Sequence, residues 1–200
     1  NVRVDYHLPN RFKEGYGFSV LAAETAADEG VDLIVTADIG VRDHEAVNKA
    51  HARGVDVLIC DHHLPEGAAV PENACVLCPP QEGCDYPNAS LAACGVSLKL
   101  AQALLQDDPR WAKIQRSLLK LAAIGTIADL VSILTPENRG IVRLGLEALN
   151  QDTHHAGLSA LLQVCGLQPG NIVASDVSFR IAPRINAAGR LADADLVIRL

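Results

Sequence analysis

The 200-residue chain contains no methionine, one tryptophan, three tyrosines and three phenylalanines. With aromatics at 4%, its core has to be built from Leu, Val, Ile and Ala. No apolar run reaches the roughly 18 residues that a bilayer span requires, because Asp, Glu or Lys breaks the longest candidates. An excess of positive charge is also lacking: 17 Lys and Arg stand against 24 Asp and Glu, for a net charge of −7. That argues against nucleic-acid binding by the whole surface. It leaves a nuclease open, since a carboxylate cluster that holds divalent metal is itself acidic. The opening Asn1-Val2-Arg3-Val4-Asp5 has no apolar signal core. It reads as the inside of a strand, which predicts a chain cut at its N-terminus.

The rest is ordinary globular material, 49% hydrophobic and 20% charged, long enough for one domain plus a connecting segment. Six cysteines without a signal segment read as reduced thiols of a cytoplasmic protein. Cys75-x-x-Cys78 followed by Cys84 could be part of a zinc site. Structural zinc usually takes a second close pair, so apolar strand and turn cysteines are the preferred reading.

Apolar periodicity predicts a short strand over 1–8, a helix over 18–29 stopped by Gly30, a buried strand over 31–36, a helix over 42–53 and a second buried strand over 55–60. Strand, helix, strand in about 30 residues is a βαβ unit with a parallel sheet. Residues 74–78 add a further strand. Helices are predicted over 91–106, 110–128, 137–150 and 157–165, then a loop at 166–170 and a short element over 175–182 stopped by Pro183. The expected architecture is α/β: a parallel sheet with flanking helices, a helical half, and the start of a connecting helix. One domain is expected over 1–165, with 166–200 leading to a further domain.

In such sheets ligands bind beyond the carboxyl ends of the strands. The first buried strand ends in Thr36-Ala37-Asp38-Ile39-Gly40 and the second in Cys60-Asp61-His62-His63. Neighbouring parallel strands lie about 4.8 Å apart, so side chains from these turns could converge on one ion. Carboxylate oxygen with imidazole nitrogen suits Mn²⁺, Mg²⁺ or Zn²⁺. Asp38 serves either as a ligand or as the N-cap of the following helix. Adjacent histidines after a buried strand favour function over a bland surface pair. Asp129 follows an apolar helical stretch and is either a paired or metal-bound acid, since burial is otherwise costly, or a carboxylate at an exposed helix end, where the helix C-terminus disfavours an anion. Arg180, Arg184 and Arg190 surround small residues and Asn186; they form either a phosphate grip or a solvated basic turn.

Thr-Ala-Asp-Ile-Gly (36–40), Cys-Asp-His-His (60–63) and Gly-Thr-Ile-Ala-Asp-Leu-Val (125–131) resemble, in order, the second, third and fourth motifs of the DHH phosphoesterases. Leu8–Gly17, Pro183–Arg190 and Cys84-x-Tyr86-Pro87 resemble the RecJ-like branch of that superfamily. The resemblance implies Asp38, His62 and Asp129 as ligands of a catalytic Mn²⁺ or Mg²⁺, His63 at the scissile phosphate and Asp61 orienting the histidines. It implies Arg184, Arg190, Asn10 and Arg11 as substrate-side residues, and hydrolysis of single-stranded DNA from its 5′ end in repair and recombination. Single-strand-binding protein and a helicase are the implied partners. The family's first motif, Asp-x-Asp-Gly, is expected before residue 1. Rival readings are a DHH enzyme acting on short oligonucleotides, cyclic dinucleotides or pyrophosphate, and a non-catalytic scaffold that binds DNA or replication proteins.

Overall fold

The structure, a computed structural model, describes residues 2–9, 14–151, 153–191 and 195–199. It divides into two compact units, Asn1–Ala89 and Ser90–Leu200.

In the first unit, α1 (Val20–Asp28) starts at Ser19, whose hydroxyl accepts from the Ala22 amide at 3.0 Å. The chain then forms β1 (Leu33–Ala37), α2 (His44–Ala52), β2 (Asp56–Cys60) and β3 (Cys75–Leu77). The sheet order is β1-β2-β3, all parallel. Ala23 of α1 and Ala46, Val47 and Ala50 of α2 pack with Val57 and Ile59 of β2 into one buried cluster. Small alanines on both helices allow the helices to lie close to the β-branched strand residues.

The register positions the chemistry. Ala37 pairs with Cys60, and Cys60 with Leu77, so the three strands end in one row. Asp38, Asp61 and Cys78 are therefore the first residues beyond the same edge. The ladder continues one step further: the Asp38 amide donates to Cys60 O at 2.9 Å and the Asp61 amide to Leu77 O at 3.0 Å.

The strand expected over 1–8 is not formed; residues 2–9 carry no regular secondary structure. A strand exists only as part of a ladder, and among the described residues only β1, β2 and β3 pair.

The second unit is helical: α3 (Ala93–Leu105), α4 (Trp111–Ala128), α5 (Pro136–Gln151) and α6 (Ala156–Val164), followed by α7 (Ala174–Asp176), α8 (Ala182–Leu191) and α9 (Asp195–Ile198). Its core joins Ile124 and Ile127 of α4 to Leu149, Leu158, Leu162, Val177 and Ile181. Gly145 sets the approach of α5 to α4, since a Cβ there would lie 2.3 Å from both Ala123 Cβ and Leu119 O.

Pro183 does not stop a helix at 182. A π-helical stretch, Val177–Ile181, joins α7 to α8, and the Ala182 amide reaches back to Val177 O. Pro183 thus falls in the first turn of α8, where its missing N–H does least harm.

Candidate metal centre

Asp38 begins the turn between β1 and α2 in a left-handed backbone, φ +68°. Asp and Asn tolerate that region better than most side chains. Gly40 follows at φ +116°, and a Cβ there would lie 2.7 Å from the Thr36 hydroxyl. Asp38 is not the cap of α2. That place belongs to Asp43, whose Oδ2 instead accepts from the Phe18 amide at 2.7 Å.

The turn after β2 carries His62 and His63. His62 Nε2 lies 3.2 Å from Asp38 Oδ1, with the histidine side chain 15% and the aspartate 62% exposed. The two imidazole rings are tilted against each other, centroids 4.6 Å apart. Asp38, His62 and His63 each offer a ligand atom, and these atoms lie within 4.8 Å of one another. This is the one such group of three found among the described residues.

Asp61 lies beneath this group, 1% exposed. Its Oδ1 accepts from the His62 amide at 2.7 Å, the His63 amide at 3.2 Å and His63 Nδ1 at 2.7 Å. Its Oδ2 accepts from the Val41 amide at 3.1 Å. Burial pushes the Asp61 carboxyl up, but the hydrogen bonds from the His63 ring and from the Val41, His63 and His62 amides outweigh it and hold the group below the usual carboxylate range. An ionised carboxylate only accepts, so His63 Nδ1 donates, and Nε2 of the neutral ring becomes the acceptor.

The donor set fits a divalent ion. One hard carboxylate oxygen with two borderline imidazole nitrogens is a mixed set suited to Mn²⁺ and Zn²⁺. Ligands on one ion, at bonds of about 2.0 to 2.2 Å, lie no more than about 4.4 Å apart, close to the separations present.

Cys78, 1% exposed, donates its Sγ–H to His63 O at 3.3 Å. Burial pushes the Cys78 and Cys60 thiols up to about 11. Both sit against the site as protonated packing groups.

The other expected site residues belong to the second unit or fall outside the described residues. Asp129 belongs to the second unit, at the C-cap of α4, where its amide donates to Gly125 O at 2.9 Å. It is exposed, so the cost of burying an acid does not bear on it. Arg184, also exposed, donates from Nη1 to Arg180 O at 2.7 Å. Arg180 is committed to the scaffold: Nη2 donates to Cys165 O at 2.5 Å and Gly166 O at 3.0 Å, and Nη1 to Asp176 Oδ1 at 3.1 Å. Arg190 lies in α8, with its side chain outside the described residues. Asn10 and Arg11 lie outside them entirely.

The motif pattern does not single out Thr36 or Asp43. A buried threonine two residues before a strand-end aspartate and an acid opening a helix were the available signals.

The model of the DHH family, N-terminal domain, matches residues 1–126. The chain belongs to the DHH family. It is 43% identical over 200 residues to the single-stranded-DNA-specific exonuclease RecJ of Bacillus subtilis, covering 100% of this chain and 24% of that protein. Its identity to the Escherichia coli RecJ of the same description is 38% over 206 residues, covering 98% of this DHH chain and 35% of that one. The chain thus spans only a quarter to a third of these curated relatives. A crystal structure of exonuclease RecJ bound to manganese matches 96% of the chain and 46% of its own, with TM-score 0.79 and 32% identity. RecJ from Thermus thermophilus in complex with Mn²⁺ matches 90% of the chain and 26% of its own, with TM-score 0.70. None of the helices described is long and apolar enough to cross a membrane.

Proposed function

We propose that this DHH chain is part of a metal-dependent exonuclease that hydrolyses single-stranded DNA from its 5′ end, in repair and recombination. The observation that carries the reading is the convergence of Asp38, His62 and His63 within 4.8 Å at the edge of the parallel sheet. Relatives named as single-stranded-DNA-specific exonucleases and neighbours solved with manganese support it.

Asp38 and His62 would hold the Mn²⁺ or Mg²⁺, and the resemblance of residues 125–131 to the fourth DHH motif assigns Asp129 as a further ligand. When bound, the ion supplies a lowered water pKa and positive charge at the phosphoryl oxygen. His63 serves the phosphate: with Nδ1–H fixed on Asp61, its Nε2 is oriented so that, once protonated, it donates to a phosphoryl oxygen, which itself only accepts. Asp61 touches no substrate in this scheme and acts as a positioning residue for both histidines. Arg184 and Arg190, with Asn10 and Arg11, are assigned to the DNA strand. Residues 1–165 are read as the phosphoesterase domain and 166–200 as the passage to a further domain. The cytoplasm suits both the DNA substrate and six cysteines kept reduced. Single-strand-binding protein and a helicase are the partners this role calls for.

The test is product analysis with the intact protein, Mn²⁺ or Mg²⁺, and single-stranded or duplex DNA labelled at either end. Mononucleotides released from the 5′ end of single strands alone are expected. Cleavage confined to dinucleotides or cyclic dinucleotides, or no cleavage by a folded protein, would overturn the reading.

A further inference from the structure

The turn that carries Asp38 is unusual in its backbone. Asp38 at φ +68° is followed within two residues by Gly40 at φ +116°. A non-glycine residue in the left-handed region persists where its surroundings over-determine it. Two bonds in the first unit do so. The Thr36 hydroxyl, on a residue 5% exposed, donates to Ile39 O at 2.7 Å, spanning Asp38 from one side. The Asp61 carboxylate holds the Val41 amide at 3.1 Å on the other. Between them Gly40 passes so close to Thr36 that no side chain fits, as its would-be Cβ lies 2.7 Å from the hydroxyl and 3.1 Å from Ile59 Cγ2.

The hydroxyl has no other evident use. Thr36 is the fourth residue of β1, paired with Ile59 in the ladder. Valine has nearly the same shape and an equal or better strand preference. A hydroxyl at this buried position is explained by the bond it makes across the turn, and that bond closes a loop with Asp38 at its apex.

From this geometry we infer that Thr36 is a positioning residue for metal binding. Its hydroxyl, with the side-chain-free Gly40, locks the turn so that Asp38 presents Oδ1 toward His62 Nε2. The inference rests on the reading of Asp38 and His62 as metal ligands, and it adds the residue that sets their spacing.

The test compares Thr36→Val, Thr36→Ser and Gly40→Ala in the intact protein. Mn²⁺ affinity is read from the electron paramagnetic resonance signal of the free ion, and folding from the melting temperature. Thr36→Val keeps shape and loses the bond, and its Mn²⁺ affinity should fall about tenfold, the scale of one buried hydrogen bond. Thr36→Ser keeps the hydroxyl and should bind within about twofold of wild type. Gly40→Ala intrudes on the same bond and should resemble Thr36→Val. Equal affinity in all three, with the wild type binding Mn²⁺, would overturn the role of Thr36 while leaving the metal site in place. Serine as weak as valine would also overturn it, because the hydroxyl would then not be the determinant. A folded wild type that binds no Mn²⁺ would overturn the metal site and the inference together.

Discussion

The polar side chains at the sheet edge of the first unit and those inside the second serve different ends. In the first, the parallel ladder satisfies the backbone past the strand ends, through Asp38 N to Cys60 O and Asp61 N to Leu77 O. The carboxylate of Asp38 and the rings of His62 and His63, all partly exposed, converge at that edge, with Nδ1 of His63 held by Asp61. In the second, helix ends and loops leave carbonyls that need donors, and the polar side chains supply them. Asn138, 0% exposed, donates from Nδ2 to Ser90 O at 2.7 Å and Ser132 O at 2.8 Å. Asn150 ties the 170–172 loop by donating to Ile172 O and accepting from the Gly170 and Ile172 amides. Buried Lys120 donates to Thr153 O at 2.8 Å. A polar residue's role thus depends on whether the local backbone is already satisfied.

If that contrast holds, a change at the sheet edge should affect chemistry and leave the fold, and a change inside the helices should do the reverse. The largest separation is expected for Asp38→Asn, which removes the charge but tolerates the left-handed backbone. Nuclease activity should fall by about three orders of magnitude while the melting temperature stays within a few degrees; a collapse of both would break the contrast. Gly145→Val is the opposite case. Its Cβ would meet Ala123 and the Leu119 carbonyl at 2.3 Å, and overpacking of this kind costs about 3 kcal/mol. Chemical denaturation should show that loss, with Mn²⁺ affinity of the folded fraction unchanged. Asn138→Ala leaves two carbonyls without this donor and should cost about 2 kcal/mol in the same measurement, again at constant Mn²⁺ affinity.

Much of this was legible in the sequence because the two periodicities differ. The β-branched runs ending in Asp38 and Asp61 mark strands whose shared register puts both acids at one edge. The 3.6-residue pattern marks α3 to α6 to within a few residues. What failed did so for tertiary reasons. Residues 1–8 look like a strand, yet pairing is not a property of one segment. Pro183 looks like a stop, yet the π-helical stretch before it shifts the proline into a first turn. The apolar run before Asp129 suggests burial, but the helix ends there and the acid is exposed. Arg180 stands open in the sequence between a phosphate grip and a solvated basic turn, and its use on the Cys165 and Gly166 carbonyls depends on residues 15 and 14 positions away. Thr36 stands inside the 36–40 motif with no role of its own legible for a similar reason: its partner, Ile39 O, is a backbone atom of a turn whose shape no local propensity specifies.

The smallest expected effect tests the scaffold side by pH. In the second unit, Asp176 accepts from the Val173 amide and from Arg180 Nη1, both at 3.1 Å. The amide bond first, and then the bond from Arg180, hold its carboxyl below the ordinary carboxylate value. A folded-state value below the unfolded one means that this contribution is complete above the unfolded value of about 3.9 and is lost as pH falls through the folded one. Asp176→Asn cannot ionise. The wild type should therefore melt slightly higher than Asp176→Asn at neutral pH, and the gap should stay level down to about pH 5 and close only in stronger acid. Because Arg180 also holds the end of α6, a gap that stays open at all pH values would mean that the contact acts through shape alone. A gap that closes in acid places the second unit's acid in the scaffold, in contrast to Asp38, whose charge faces its neighbours at an exposed edge.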